Sequence, residues 1–326
     1  MGAKCSKELW ESLTNGELVP IVERVKDDLT LAIELRDDEI EIYYRGAQLF
    51  RVNNKGFIKS DNSLVKELTM PPKKVNEDNV KAWISMIPSI KDCLDRGVNK
   101  NRGKKTGPKG AELETEQIIV RENNRLKDKS ANSDYYITDI ERDVGAARFD
   151  LVAVKTVKNG KDRGTPPKRF AVMELKYDVD ALFEPKGEGK EKRASLRDHF
   201  KSMQSFLKDQ SNMILLEELT KTQFNFKYDL GLIDKPKSLK RIEEKHSWEK
   251  PEYIIILANF DQHYLDLNTV GDYKLKEELL YIRNQYSSVF EAFDVRFATS
   301  CGMGYALFDK CMKSFDEFMD YLKSLE

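Results

Sequence analysis

Three ionisable side chains interrupt two apolar segments that are typical of buried β-strands. RFDLVAV, residues 148–154, contains Asp150, and FAVMELKYD, residues 170–178, contains Glu174 and Lys176. Because side chains alternate across a strand, Glu174 and Lys176 are neighbours on one face. The connecting segment VKNGKDRGTPPK is polar and rich in breakers, which predicts that the two strands form a hairpin.

This hairpin would bring the two carboxylates together. A chain that folds back about Asp162 places Asp150 opposite Glu174, where Cβ atoms lie about 4.5–5.5 Å apart. Two carboxylates at this distance repel each other and are costly to desolvate. A divalent cation removes the repulsion, and Mg²⁺ prefers carboxylate, water and phosphate oxygens. Lys176 would hold or help activate a water for attack on a phosphodiester.

Each of these signals also has a structural explanation. Asp150 could lie on an exposed face, and Glu174 and Lys176 could form ordinary surface ion pairs. The combination is more specific, because a carboxylate in one apolar strand is followed by a gap rich in breakers and then by carboxylate-x-lysine in the next strand.

The pattern of Asp150, 23 intervening residues and Glu174-Leu175-Lys176 resembles the PD-(D/E)xK nuclease superfamily, with residues 111–205 covered well. The resemblance implies an α/β, restriction-endonuclease-like domain with a mixed central sheet flanked by helices. It implies that Asp150 and Glu174 ligate Mg²⁺, for which Mn²⁺ can substitute, and that Lys176 supports the attacking water. We expect the Leu175 carbonyl to complete the metal ligands. The family's proline before the aspartate is Phe149 here.

A helix before the motif often supplies another acidic residue in this superfamily. The segment AELETEQIIVRENNRL, residues 111–126, is predicted to be helical and contains Glu112, Glu114 and Glu116. We favour Glu114 or Glu116 as a catalytic residue, because each precedes the apolar IIV run by a helical step.

These residues predict a cytoplasmic, magnesium-dependent endonuclease that hydrolyses DNA phosphodiester bonds. The resemblance implies a role in bacterial restriction or antiviral defence. Two alternatives stay open: an inactive nuclease-fold protein that binds DNA or protein, and a repair or recombination nuclease for structured DNA. DNA is the expected partner, with a partner subunit or a homodimer left open and no membrane. The pattern does not distinguish DNA from RNA.

The chain is predicted to start with a small β-rich module, residues 1–98, for recognition or partner binding. Alternating segments over residues 29–60, with the tight-turn signal NNKG, predict a β-meander. A helix is expected from about Asn79 to Asp95, which Pro88 should kink or divide. Residues 99–110 are expected to be a basic linker.

The predicted nuclease domain, residues 111–326, combines hairpin strands with crossover helices, which is typical of layered α/β domains. A long helical region is expected from about 190 to 228, and a helix around 274–291. Strands are expected at 252–261 and 294–300. The apolar stripe from Phe308 to Leu322 predicts a last helix.

Further polar residues follow the motif. His199, Lys201 and Gln204 lie in a predicted helix, where superfamily members often place a polar residue near the scissile phosphate. For His199 we favour an ordinary solvated helix face. The basic loop PKGEGKEKR, residues 185–193, could follow a phosphate backbone, but its interspersed glutamates favour a solvated loop.

The composition restricts the classes of protein to which the chain could belong. The 326 residues are 40% hydrophobic and 34% charged, with a formal net charge of −1, so no global field attracts nucleic acid. The four cysteines are widely spaced, which argues against a disulfide framework or a structural zinc site and favours reduced thiols. The N-terminal residues lack the apolar region of a signal peptide.

Overall fold

The computed structural model divides the chain into two compact units. The first unit comprises Met1–Arg121 with Lys221–Lys235, and the second comprises Glu122–Thr220 with Pro236–Glu326. The predicted boundary around residues 99–110 therefore falls within the first unit. The residues that the structure describes are 4–61, 65–102, 109–124, 133–156, 165–177, 182–183, 194–233, 239–258, 260, 275–300 and 307–324.

The first unit contains the predicted β-meander, a four-stranded antiparallel sheet in the order β1-β2-β3-β4. Gly56 has a φ of +73°, which is the conformation that the NNKG turn requires. The elements are α1 (Lys7–Thr14), α2 (Val19–Asp27), β1 (Ala32–Leu35), β2 (Glu39–Tyr44), β3 (Ala47–Asn53), β4 (Phe57–Lys59), α3 (Glu77–Arg102) and α4 (Lys109–Asn124).

Two helical predictions for this unit need correction. Helix α3 runs through Pro88 without a break and ends at Arg102, so the proline does not divide it. Its buried residues recur at helical spacing against the sheet, with Trp83 packed on Phe50, and this packing outweighs the missing proline N–H. The ends of the predicted linker are helical, whereas residues 103–108 lie outside the described part.

A segment distant in sequence completes the core of the first unit. Phe226 and Leu230 belong to its apolar core, and Lys227 Nζ lies 2.8 Å from Glu34 Oε1, with both side chains buried. The Gln223 side-chain amide donates to the Leu35 carbonyl and accepts from its N–H, at 2.6 and 3.2 Å. It thus satisfies main-chain groups of an outer strand of the sheet.

The second unit contains a mixed six-stranded sheet flanked by helices, in the order β10-β9-β8-β7-β6-β5. The β7–β8 and β8–β9 pairs are parallel, and the β5–β6, β6–β7 and β9–β10 pairs are antiparallel. The elements are β5 (Tyr135–Val144), β6 (Ala147–Lys155), β7 (Phe170–Tyr177), α5 (Leu196–Leu207), α6 (Gln210–Asp229), β8 (Glu252–Ala258), α7 (Leu275–Gln285), α8 (Ser287–Ala292), β9 (Asp294–Ser300), β10 (Lys313–Ser314) and α9 (Phe315–Ser324).

Helix boundaries in this unit differ from those predicted. The region 190–228 is two helices, α5 and α6, and the region 274–291 is also two helices, α7 and α8. The last helix begins only at Phe315, because Asp309–Cys311 form a 3₁₀ turn and Lys313–Ser314 pair with β9. An apolar stripe does not show where a helix starts unless a cap marks the position.

At one end of the sheet, the buried carboxylate of Glu252 contacts one tyrosine and three cationic side chains. It accepts from Tyr135 Oη at 2.6 Å, and Lys155, Arg169 and Arg296 lie 3.1, 3.3 and 3.4 Å from its Oε1. Tyr135, Lys155 and Arg296 belong to β5, β6 and β9, and Arg169 immediately precedes β7. The cluster therefore stabilises the strand order that carries the candidate site.

No helix in the described ranges is long and apolar enough to cross a membrane.

Replacing Glu252 by Gln should lower the free energy of unfolding of the second unit by about 1–3 kcal/mol, because the hydrogen bonds to a buried carboxylate are weakened, while the three cations keep Asp294 and Asp309 as partners. Trp248 lies in this unit, beside Phe170, so its fluorescence in a Trp10→Phe, Trp83→Phe background reports the transition in urea. Glu249→Gln, at an exposed carboxylate 3.8 Å from Arg169, is the control with little expected change. Equal midpoints for the two variants would contradict a stabilising role of Glu252.

Candidate active site

The candidate site lies where β7 separates from β6. The two strands pair from Val154–Phe170 to Leu151–Met173, and no pair follows, whereas β7 continues beside β8 as far as Tyr177. Beyond this point the Leu175 N–H donates to Asp150 Oδ2 at 2.8 Å. A side chain thus replaces the main-chain contact, and the register is the predicted one, in which Asp150 stands across from Glu174.

Glu174 and Lys176 share one face of β7, as their alternation predicts. Lys176 Nζ lies 2.7 Å from Glu174 Oε1, and the side chains are only 7% and 3% exposed. Val172, on the same face, is paired with Tyr253, which packs on Phe200 of α5. The two charges are therefore held between the sheet and a helix.

His199 joins this pair, so the prediction of a solvated helix face for it is wrong. Its Nδ1 lies 2.9 Å from Glu174 Oε2, and its Nε2 lies 2.9 Å from Lys176 Nζ. Helix α5 is fixed at its start by a capping box between Ser195 and Asp198. The sequence did carry a signal, because His199 lies three residues after buried Leu196 and on the same helical stripe.

A third carboxylate, Glu141, lies on the neighbouring strand and was not found from the sequence. Its flanking pairs are Ile140–Leu151 and Arg142–Phe149, so its position on β5 is opposite that of Asp150 on β6. Its φ is +48°, an uncommon conformation for a residue other than glycine that clusters at functional sites. Its carboxylate pairs with Arg148 of β6, whose Nε lies 2.6 Å from Oε2.

The charges of the site act on one another. Burial alone would raise the pKa of Glu174, but the Lys176 charge and the hydrogen bond from His199 lower it below 4.5. Burial raises the pKa of Glu141, and the negative charge of Glu174 adds to the rise. Burial likewise raises the pKa of Tyr253, with contributions from both Glu174 and Asp150.

The three glutamates considered as further site residues lie on α4 in the first unit. Glu114 Oε1 is 3.0 Å from Arg45 Nη2. Glu116 is buried, and its carboxylate stands against the backbone of Gly46, which has a φ of +65°. Glu112 is partly buried. Participation of Glu114 or Glu116 in catalysis stays a prediction, and the basic loop 185–193 lies outside the described residues.

The donors present suit a hard cation. Asp150 and Glu174 each lie one residue beyond the last paired positions, Leu151 and Met173. The Leu175 carbonyl would add a third oxygen, the ligand type that Mg²⁺ prefers. Within the described ranges, however, no group of three or more His, Cys, Asp or Glu side chains is arranged to hold a metal ion. The expected ligand set has two such side chains, and Glu174 would share its oxygens with Lys176 and His199.

The lowered pKa of Glu174 predicts a pH dependence of stability. Its folded pKa lies below 4.5, so its contribution is fully present above pH 4.5 and is lost as the pH falls through the folded value. The difference in unfolding free energy between the wild type and Glu174→Gln should therefore shrink by up to about 1.4 kcal/mol per pH unit in acid. Urea titrations followed by Trp248 fluorescence measure it, and a constant difference from pH 6 to 3 would rule out the lowered pKa.

The nuclease resemblance and the structure agree at the level of a mixed sheet flanked by helices that carries the motif on neighbouring strands. Comparison of the chain with protein-family models, with curated proteins and with solved structures finds no match. The residues that carry the resemblance are Asp150, Glu174 and Lys176.

Proposed function

We propose that the second unit is a magnesium-dependent endonuclease that hydrolyses DNA phosphodiester bonds and has a restriction-endonuclease-like fold. The observation that carries this proposal is the arrangement at the β6–β7 separation. There, the buried carboxylate of Glu174 contacts the Lys176 ammonium at 2.7 Å, and Asp150 lies one residue beyond the last pair of β6 and β7, Leu151–Met173.

Asp150, Glu174 and the Leu175 carbonyl are the groups that would hold the cation. Mg²⁺ bound there would neutralise the two carboxylates, lower the pKa of a bound water and stabilise charge on the scissile phosphate. Asp150 is oriented by the Leu175 N–H at 2.8 Å, and Glu174 by Lys176 and His199. The carboxylates are thus preorganised, which reduces the reorganisation that cation binding requires.

Lys176 is the group that would orient the attacking water. Its ammonium is held beside Glu174 in a buried environment, where electrostatic interactions are stronger than in bulk water. A water held by Lys176 would attack phosphorus and lose one proton to bulk solvent. The bond from phosphorus to one ester oxygen would break, and that leaving oxygen would take a proton from a second water. The positive charge of Lys176 also favours the phosphorane-like charge that builds up on the phosphate oxygens.

A second candidate is a nuclease-fold protein without catalytic activity, which binds DNA or a protein. It is favoured by one observation, namely that both oxygens of Glu174 are already hydrogen bonded, at 2.7 and 2.9 Å. If the contacts of Glu174 with Lys176 and His199 are purely structural, Lys176 serves only as the counter-charge that stabilises a buried carboxylate.

Cleavage of supercoiled plasmid separates the two candidates. With Mg²⁺, the wild type should convert it to nicked or linear DNA, and Asp150→Asn and Lys176→Met should each lower the rate about 10²–10⁴-fold, the range of single catalytic groups. Lys208→Ala, at the exposed end of α5, is the matched control and should retain the rate. Identical behaviour of the wild type and the Asp150 and Lys176 variants would exclude the catalytic proposal.

Substrate class is tested with the same enzyme on linear, circular, nicked and branched DNA and on RNA of matched sequence. A restriction or antiviral-defence role, which follows from the resemblance, predicts cleavage of intact duplex. A preference of more than about tenfold, or 1.4 kcal/mol, for branched or nicked DNA would instead indicate a repair or recombination nuclease. Preference for RNA would overturn the DNA assignment.

A further inference from the structure

We propose that His199 is a positioning residue of the candidate site, which holds Glu174 and Lys176 in place for a divalent cation and for water. The inference rests on the proposed function, because it assigns a role within the same site. It starts from three side chains that form a closed ring of hydrogen bonds at the point where β7 leaves β6.

Each member of the ring contacts both others. Lys176 Nζ lies 2.7 Å from Glu174 Oε1, His199 Nδ1 lies 2.9 Å from Glu174 Oε2, and His199 Nε2 lies 2.9 Å from Lys176 Nζ. The histidine side chain is 20% exposed, and the glutamate side chain only 3%. His199 is therefore the member of the ring nearest to solvent.

Donor and acceptor chemistry assigns the proton on the imidazole. An ionised carboxylate only accepts hydrogen bonds, so Nδ1 must carry the proton that it donates to Glu174. An ammonium only donates, so Nε2 must offer its lone pair to Lys176. The neutral Nδ1–H tautomer alone satisfies the three contacts, whereas a proton on Nε2 would set two N–H groups against each other.

The ring allows the Lys176–Glu174 contact to lengthen while the Glu174 carboxylate keeps its orientation. Each oxygen of Glu174 accepts one hydrogen bond within the ring and has a second lone pair that can bind a cation. If Lys176 yields, the Nδ1–H bond still fixes the carboxylate, and Nε2 still accepts from Nζ. Lys176 then stays beside Glu174. Such outer partners commonly contribute 10–100-fold to metal affinity.

The tautomer is tested by NMR on protein labelled with ¹⁵N-histidine, in neutral buffer without metal. The chain has only three histidines, and the signal of His199 is the one lost in His199→Gln. We expect Nδ1 to be protonated and Nε2 unprotonated, and addition of Mg²⁺ should shift both ring nitrogens in the wild type but not in Asp150→Asn. A proton found on Nε2 would overturn the proposal.

The positioning role is tested by Mn²⁺ titration calorimetry on folded, metal-free protein. His199→Ala should weaken binding about 10–100-fold and lower kcat with little change in KM. His199→Asn, whose amide can replace the Nδ1 donor, should recover most of the affinity, whereas His199→Gln, whose amide reaches the Nε2 position, should recover less. Lys208→Ala, at the exposed end of α5, is the control. If His199→Ala binds Mn²⁺ and cleaves DNA as the wild type does, the role assigned to His199 is wrong.

The outcomes separate this inference from the proposed function. Weakened Mn²⁺ binding in His199→Ala without any DNA cleavage by the wild type supports the role of His199 and removes the nuclease activity. Wild-type cleavage with no effect of His199→Ala or His199→Asn removes only the role of His199. A wild type that neither binds Mn²⁺ nor cleaves DNA removes both.

Discussion

The hydrogen bond from the Leu175 N–H to the Asp150 carboxylate, at 2.8 Å, is the contact on which the candidate site depends. The main-chain hydrogen bonds between β6 and β7 stop at the Leu151–Met173 pair. The Leu175 N–H, which faces the departing strand, would be unsatisfied without this carboxylate. Because the aspartate takes over the contact, the two strands can part while β7 stays attached to β8. The separation creates a place for charged groups within an otherwise apolar sheet.

The charges that occupy this place are costly to bury, since desolvation costs several kcal/mol per ion in proteins. Glu174 and Lys176 are compensated by each other and by His199, and the result is a carboxylate whose pKa is lowered despite complete burial. A hydrophobic pair of similar volume would stabilise such a core at least as well. The proposed function would give these buried charges a chemical role.

Local patterns predicted the part of the site that depends on alternation along strands. The register that places Asp150 across from Glu174 followed from the hairpin. Glu141 was missed because its strand position gives no hint of a φ of +48°, and His199 because a histidine on an apolar stripe was taken for a solvated one. The return of residues 221–235 to the first unit was also missed, since it depends on tertiary contacts such as Lys227–Glu34.

The proposed function requires that Asp150 and Glu174 together hold a divalent cation beside Lys176. Anomalous diffraction from crystals grown with Mn²⁺ tests it most directly, because the signal locates the ion without reference to activity. We expect one strong peak that lies about 2.0–2.3 Å from an Asp150 oxygen, a Glu174 oxygen and the Leu175 carbonyl oxygen, as is usual for a small divalent cation. A fully occupied peak elsewhere, with Glu174 still bonded only to Lys176 and His199, would contradict it.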